Sequence, residues 1–228
     1  MKNADSLVAI AATAAGACSI AIGNGASSVA GGSIAIGCGS KTLSGGSANA
    51  LAIMTNAQVT NSGNSIAIGV NSCASGWSEL IAIGFGAVHA GNGYGGLAIG
   101  CGAVTGGDGV ALGRGACVTG NWESGDVAIS TASRGLGISA IAIGRSACVP
   151  ATVTCGIAIG RSALATANGA VALGEAVTAA TVNYTTTKNL QLTNYVALNY
   201  ADDTAAAAGG VPLGGLYHNA GAARIRIA

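Results

Sequence analysis

The chain has 228 residues, enough for one ordinary domain or one long stack of repeats. Gly supplies 39 of them, charged residues 7%, aromatics 4%, and the net charge is +1. Globular chains carry roughly 25% charged residues, so an ordinary charged surface is excluded. The small, scattered charge also argues against duplex nucleic acid or an anionic membrane as a partner. Gly-rich chains are often disordered, but those are poor in Ile and Val; here Ile, Leu and Val recur in a strict pattern, and a folded chain is expected.

At the N-terminus, Lys2 and the apolar run Leu7 to Ala17 have the length of a signal-peptide core, and Ala15-Gly16-Ala17-Cys18 resembles a poor lipobox. Asp5 lies inside the would-be basic segment, and Val8-Ala9-Ile10 matches the repeat of the downstream chain. The segment is therefore read as the first coil. No stretch approaches the ~20 apolar residues of a membrane span, and no membrane insertion is expected.

The repeat is aliphatic-Ala-aliphatic-Gly. It begins at Val8, Ile20, Ile34, Leu51, Ile66, Ile81, Leu97, Val110, Val127, Ile141, Ile157 and Val171, at intervals of 12 to 17 residues. Bulky residues two apart, with Ala between, follow strand periodicity. The Gly that closes most copies (Gly23, Gly37, Gly69 and onward) suits a turn of positive φ. After two further residues comes a small one, as in Ala26, Ser40, Ala57, Ser72 and Ala87, as a tight corner or crowded interior requires. A second short strand then returns, for example Ala147-Cys148-Val149 or Ala163-Leu164-Ala165.

About 15 residues hold two short strands and two turns. Twelve such coils, stacked at the strand separation, predict a rod on the order of 55 Å long. One strand then has an unbroken Ile/Leu/Val face and an opposite Ala face, without a charge on either. Strands buried on both sides read this way. A two-stranded coil covers only one of these faces itself, so the other is expected to pack against another subunit. In the alternative, the Ala face meets solvent in a monomeric solenoid.

Ser19-Ile20-Ala21-Ile22-Gly23, Ser33-Ile34-Ala35-Ile36-Gly37 and Ser65-Ile66-Ala67-Ile68-Gly69 resemble the SIAIG repeats of YadA-like head domains. The resemblance covers about residues 8 to 178. It implies a left-handed parallel β-roll with three chains around one axis. Leu51-Ala52-Ile53-Met54 and Val127-Ala128-Ile129-Ser130 depart from the pattern by losing the Gly, and the coiled-coil stalk and membrane barrel of trimeric autotransporter adhesins have no counterpart here.

The C-terminal segment is similar to a tail segment recurrent in phage virion proteins. An acidic pair (Asp202-Asp203) precedes an Ala run, then Gly209-Gly210-Val211-Pro212-Leu213-Gly214-Gly215-Leu216-Tyr217 and the alternating Arg224-Ile225-Arg226-Ile227. His218 stands where that pattern has a basic residue. Val211 to Gly214 is expected to turn with Pro at its second position. The polar, aromatic stretch Asn189 to Tyr200, together with the residues up to Ala228, suits the cap that a solenoid needs.

Seven cysteines (18, 38, 73, 101, 117, 148 and 155), without a CxxC pair, read as small buried hydrophobes rather than a disulfide framework or zinc site. The residues after each anchor Gly form one column in which Arg145, Arg161 and Glu175 fall in line, an exposed ion-pair ladder or a strip for an anionic ligand. Gly106-Gly107-Asp108-Gly109 occurs once and reads as a turn rather than a calcium-binding roll. The eight acidic residues show no pair placed for glycoside hydrolysis, and no catalytic, metal or cofactor residues are assigned. Trp77, Trp122, Tyr94 and His89 fall between anchors, and Tyr217 and His218 lie in the tail. These six are the candidates for contact with a surface glycan or protein receptor; equally, each of the four between anchors packs over a turn.

The expectation is an all-β left-handed parallel β-roll of about twelve short coils over residues 1–178, homotrimeric, with a small C-terminal β tip over 179–228. Its expected role is structural and non-enzymatic: a phage fibre, tail fibre or head-decoration protein on the virion surface, with itself, other virion proteins and a host receptor as partners. A bacterial cell-surface adhesin head is the alternative, and a glycan-degrading tailspike the third reading.

Overall fold

In the computed structural model, residues 11–43, 48–91, 93–119, 125–188, 198–220 and 222–227 are described. The chain divides into two units, Met1–Lys188 and Asn189–Ala228. The first is a parallel β-solenoid in which each coil contributes one strand to an anchor sheet and one to a return sheet. Among the described residues each sheet has 12 strands, and each strand inside a sheet pairs with the equivalent strand of the coils before and after it. The register keeps like on like: Ile81 opposes Leu97, Ala82 opposes Ala98 and Ile83 opposes Ile99.

The described anchor sheet runs from Ile20–Ile22 to Thr185–Thr187. Its final rung lies beyond residue 178, where the aliphatic pattern stops, because Thr185-Thr186-Thr187 pairs with Val171-Ala172-Leu173. The anchor strand expected at Val8 lies outside the described residues, while the return strand of that first coil, Thr13–Ala14, pairs with Ser27–Ser28.

The Ala face is the inner one. Ala35, Ala52, Ala67, Ala82, Ala98 and their equivalents up to Ala172 are wholly buried within the coil, facing Val59, Ala74, Val118, Val149, Ala165 and Ala179 of the return sheet. The alternative in which Ala meets solvent is thereby corrected. Alternate residues of a strand face opposite sides, and the turns that close each coil put the Ala side inward, where the return sheet fills the remaining space with residues as large as Val59, Val118, Val149 and His89. The aliphatic residues on either side of each Ala point outward.

The turn out of the anchor strand explains two sequence regularities. Gly69 has φ +136, and a Cβ there would lie 2.3 Å from the carbonyl oxygen of Gly84 on the next coil. Both the dihedral and the stacking therefore demand Gly. Met54 (φ 95) and Ser130 (φ 105) nevertheless make the same turn in the two divergent copies. The small residue beyond the turn is buried, and its N–H closes the turn on the carbonyl three residues back, as in Ala87 to Gly84 at 3.2 Å. Ser alternates with Ala there because its hydroxyl donates to the same carbonyl, as in Ser72 to Gly69 at 2.9 Å.

The Ser before the anchor has its own task. Ser65 Oγ accepts the N–H of Leu80 at 2.9 Å on the next coil and donates to the Gly63 carbonyl at 2.9 Å. Asp126 holds the same position and accepts from Ala140 N–H at 2.6 Å, but its buried Oδ2 has no partner. Polar residues of this kind interrupt the apolar interior. Three buried clusters, Ala50 to Ala87, Ala98 to Ala128 and Ala140 to Ala179, are separated first by His89 and Thr105, then by Asp126, Ser133 and Gly135.

The second unit contains a feature that the expected β tip lacks, the helix Asp203–Ala208. Asp202 caps it by accepting from Ala205 N–H at 2.8 Å, and Asp203 sits in its positive first turn. An antiparallel hairpin comes next, Leu216–Asn219 against Ala222–Ile225. Ala206, Val211 and Tyr217 form the core, with Leu198 and Tyr200 against it. The Pro turn is shifted by one residue from expectation. Gly215 N–H donates to the Pro212 carbonyl at 2.8 Å, so Pro212 opens the turn and Gly214, with φ +78, takes its third position.

Candidate recognition surfaces

Trp77 and Tyr94 stand on the connections that lead from the return sheet back to the anchor sheet, on successive coils. Gly63, Ser78 and Tyr94 bridge one another in parallel along this ridge. The two rings are 45% and 55% exposed, with centroids 5.1 Å apart and planes tilted by 59°. Asp108, one coil further, accepts the Tyr94 N–H through Oδ1. The Gly106 to Gly109 turn thus serves to hold Tyr94.

His89 is not on the surface, which corrects its place among the contact candidates. It is fully buried in the return sheet, with Nε2 3.0 Å from the Gly107 carbonyl and Nδ1 3.3 Å from that of Ser75. Strand alternation sends it inward while Val88 faces out. Tyr217 is also buried, against the helix, and its hydroxyl donates to Asp203 Oδ1 at 2.6 Å. That hydrogen bond, then burial and the Asp203 charge, raise its pKa above the ordinary tyrosine value. His218 is half-buried in the hairpin, its N–H on the Leu198 carbonyl at 2.9 Å. Trp122 lies outside the described residues.

The cysteines are not buried hydrophobes. Cys18, Cys38, Cys101 and Cys155 are exposed, Cys73, Cys117 and Cys148 are half-buried, and all seven are free thiols. The half-buried three share the outer column of the return sheet, in register with Gln58, Arg134 and Leu164 among others. Arg134 lies in register between Cys117 and Cys148. Burial raises the pKa of all three, and Arg134 partly offsets this for Cys117 and Cys148.

In the column after the anchor Gly, Arg161 and Glu175 form an exposed ion pair on adjacent coils, worth less than ~1 kcal/mol. Among the described residues, no three His, Cys, Asp or Glu side chains gather as metal ligands. None of the helices there is long and apolar enough to cross a membrane.

The outside of the anchor sheet is a continuous apolar surface among the described residues. From Ile20 to Leu173 every rung presents two aliphatic side chains, in two parallel columns without a charge. Ile20, Ile22, Leu112, Ile159 and Leu173 are among its most exposed members. Monomeric soluble proteins rarely expose a continuous apolar patch of more than a few hundred Å². Sequence periodicity revealed both columns but not the side on which they lie. Compared with known proteins, the chain matches no family and no curated relative.

Proposed function

We propose that the protein is a structural rod that assembles as a homotrimer through its anchor sheets and is carried on the surface of a phage particle, as a fibre, tail fibre or head-decoration protein. The observation that carries the assembly is the double aliphatic column from Ile20 to Leu173, which needs a cover of equal length and equal apolarity. A second copy of the same chain supplies such a cover, and closed symmetry satisfies every copy at once. Three chains, and a left-handed roll, follow from the SIAIG resemblance.

The virion setting is supported by the likeness of residues 202–227 to phage tail segments. The SIAIG repeats themselves favour a second reading, a bacterial adhesin head exposed at the cell surface. In either setting five of the six described carboxylates are assigned structural tasks, which leaves Glu79 without a second uncommitted carboxylate to work with: Asp108, Asp126 and Asp202 hold backbone N–H groups, Asp203 holds Tyr217, and Glu175 pairs with Arg161. A non-enzymatic role is therefore preferred to a glycan-degrading one.

Native mass measurement of the full chain tests the assembly. The expected mass is three times 21.5 kDa, and a clean monomer overturns the proposal. Antibodies to the chain should decorate purified particles of the phage that encodes it; labelling of the bacterial surface alone would favour the adhesin reading.

A further inference from the structure

On the ridge between the two sheets, four consecutive connections bring polar and aromatic side chains together. They carry Asn61 and Asn64, then Trp77 and Glu79, then Tyr94, then Asp108, all exposed. Between them lie Gly63, Gly76, Gly91, Gly93, Gly95 and Gly106. Glycines provide no side chain to cover a neighbouring ring, and the position where Gly95 would carry a Cβ is open space. Trp77 and Tyr94 thus stand side by side above a low floor.

The pair is held before any partner arrives. The Ser78–Tyr94 bridge links the two connections, and Asp108 fixes the Tyr94 backbone through its N–H. Below them, Asn49 Nδ2 donates to Asn64 Oδ1 at 3.2 Å, so the amide of Asn64 is also oriented. Rigid aromatic rings on a pre-organised backbone lose little freedom on binding.

We propose that this ridge, centred on Trp77 and Tyr94, is a binding platform for a neutral saccharide chain. The faces of the rings would take the C–H face of a sugar, and Glu79, Asp108 and Asn64 would accept from or donate to its hydroxyls. Two features choose this partner over others. Glu79 follows Trp77 on the same connection and Asp108 bonds the Tyr94 backbone, with no Lys or Arg in these four connections, which disfavours acidic sugars and phosphorylated glycans. Two rings on a narrow ridge also fall well short of the ~800 Å² per partner that a specific protein complex buries.

The platform gives the rod proposed above a ligand class, yet it stands on the geometry of a single chain. The test uses the full-length protein on an array of neutral and acidic glycans, followed by titration of the best neutral oligosaccharide, with native mass recorded for each variant. Saturable binding to a neutral glycan is expected. Trp77→Ala and Tyr94→Ala should each weaken it at least tenfold while Trp77→Phe keeps most of it, with the mass unchanged. Absence of binding across the neutral glycans, preference for acidic ones, or wild-type affinity in Trp77→Ala overturns the platform. So does a change of mass in Trp77→Ala, which would make the pair a subunit contact. A monomeric mass with intact glycan binding would sink the assembly alone.

Discussion

A Cβ added to Gly96 would lie 2.2 Å from the imidazole of His89, seven residues earlier in the chain. The ring occupies the space inside the coil that a side chain at 96 would need, and it reaches across to the Gly107 carbonyl at 3.0 Å. Gly96→Ala should therefore destabilise the roll by about 2 kcal/mol through overpacking. His89→Ala alone should also destabilise it, since a cavity opens and the carbonyl that accepts from the ring N–H loses its donor. In the double variant the costs should not add, with a coupling of about 1 kcal/mol or more. Rescue stays partial because the same Cβ comes within 2.8 Å of the Gly107 carbonyl. Thermal melting of the four proteins measures this, and strict additivity would show that the two sites are independent.

The turn after the anchor strand offers a contrast of opposite sign. Gly69→Ala places a Cβ at φ +136 and 2.3 Å from a backbone oxygen of the next coil, and should cost about 3 kcal/mol. Met54→Gly and Ser130→Gly relieve φ values of 95 and 105. Each should stabilise by about 1 kcal/mol, once the greater freedom of Gly in the unfolded chain is subtracted. Melting curves distinguish the two classes directly.

Thiol chemistry reads the outer columns. Labelling with an alkylating reagent near pH 8 should modify Cys18, Cys38, Cys101 and Cys155 before Cys73, Cys117 and Cys148, where partial burial raises the pKa and lowers the thiolate fraction. Arg134→Ala should slow Cys117 and Cys148 further, because the nearby cation that favours their thiolates is gone. Cys73 should not change. Peptide mapping by mass spectrometry resolves the seven sites.

Tyr217 predicts an alkaline limit for the C-terminal unit. Its folded pKa is raised, first by the hydrogen bond to Asp203, so the folded state keeps a proton that the unfolded state has released. Its contribution is complete below the ordinary tyrosine value near 10 and is lost as pH climbs from there through the folded value. Tyr217→Phe should lower stability at pH 7 and flatten the decline above pH 10, as followed by near-ultraviolet circular dichroism.

Much of the fold was legible because each coil repeats one simple message. Ile66-Ala67-Ile68-Gly69 contains a strand, its two faces and its turn, and Ser72 marks the closing contact. The direction of the faces was not legible. Ile is the usual core residue and Ala the indifferent one, and only the way the turns close the coil puts Ala67 in the interior. His89 and Tyr217 were misplaced for a related reason, since composition reveals an aromatic ring but not the strand parity that turns it inward. The helix Asp203–Ala208 had a readable signal in Asp202 and the Ala run, which the surrounding β pattern outweighed. Trp77 and Tyr94 were visible as isolated aromatics, but their meeting depended on the Ser78–Tyr94 bridge between coils.

The rung Thr185-Thr186-Thr187 has a consequence for anything laid along the anchor sheet. The rungs before it are nearly interchangeable, so an apposed surface could slide by one strand spacing and find almost the same contacts. A row of hydroxyls ends that translational degeneracy at one place. It acts as the zero mark of a ruler, and phase along the stripe is set by where the aliphatic residues stop rather than by how they repeat.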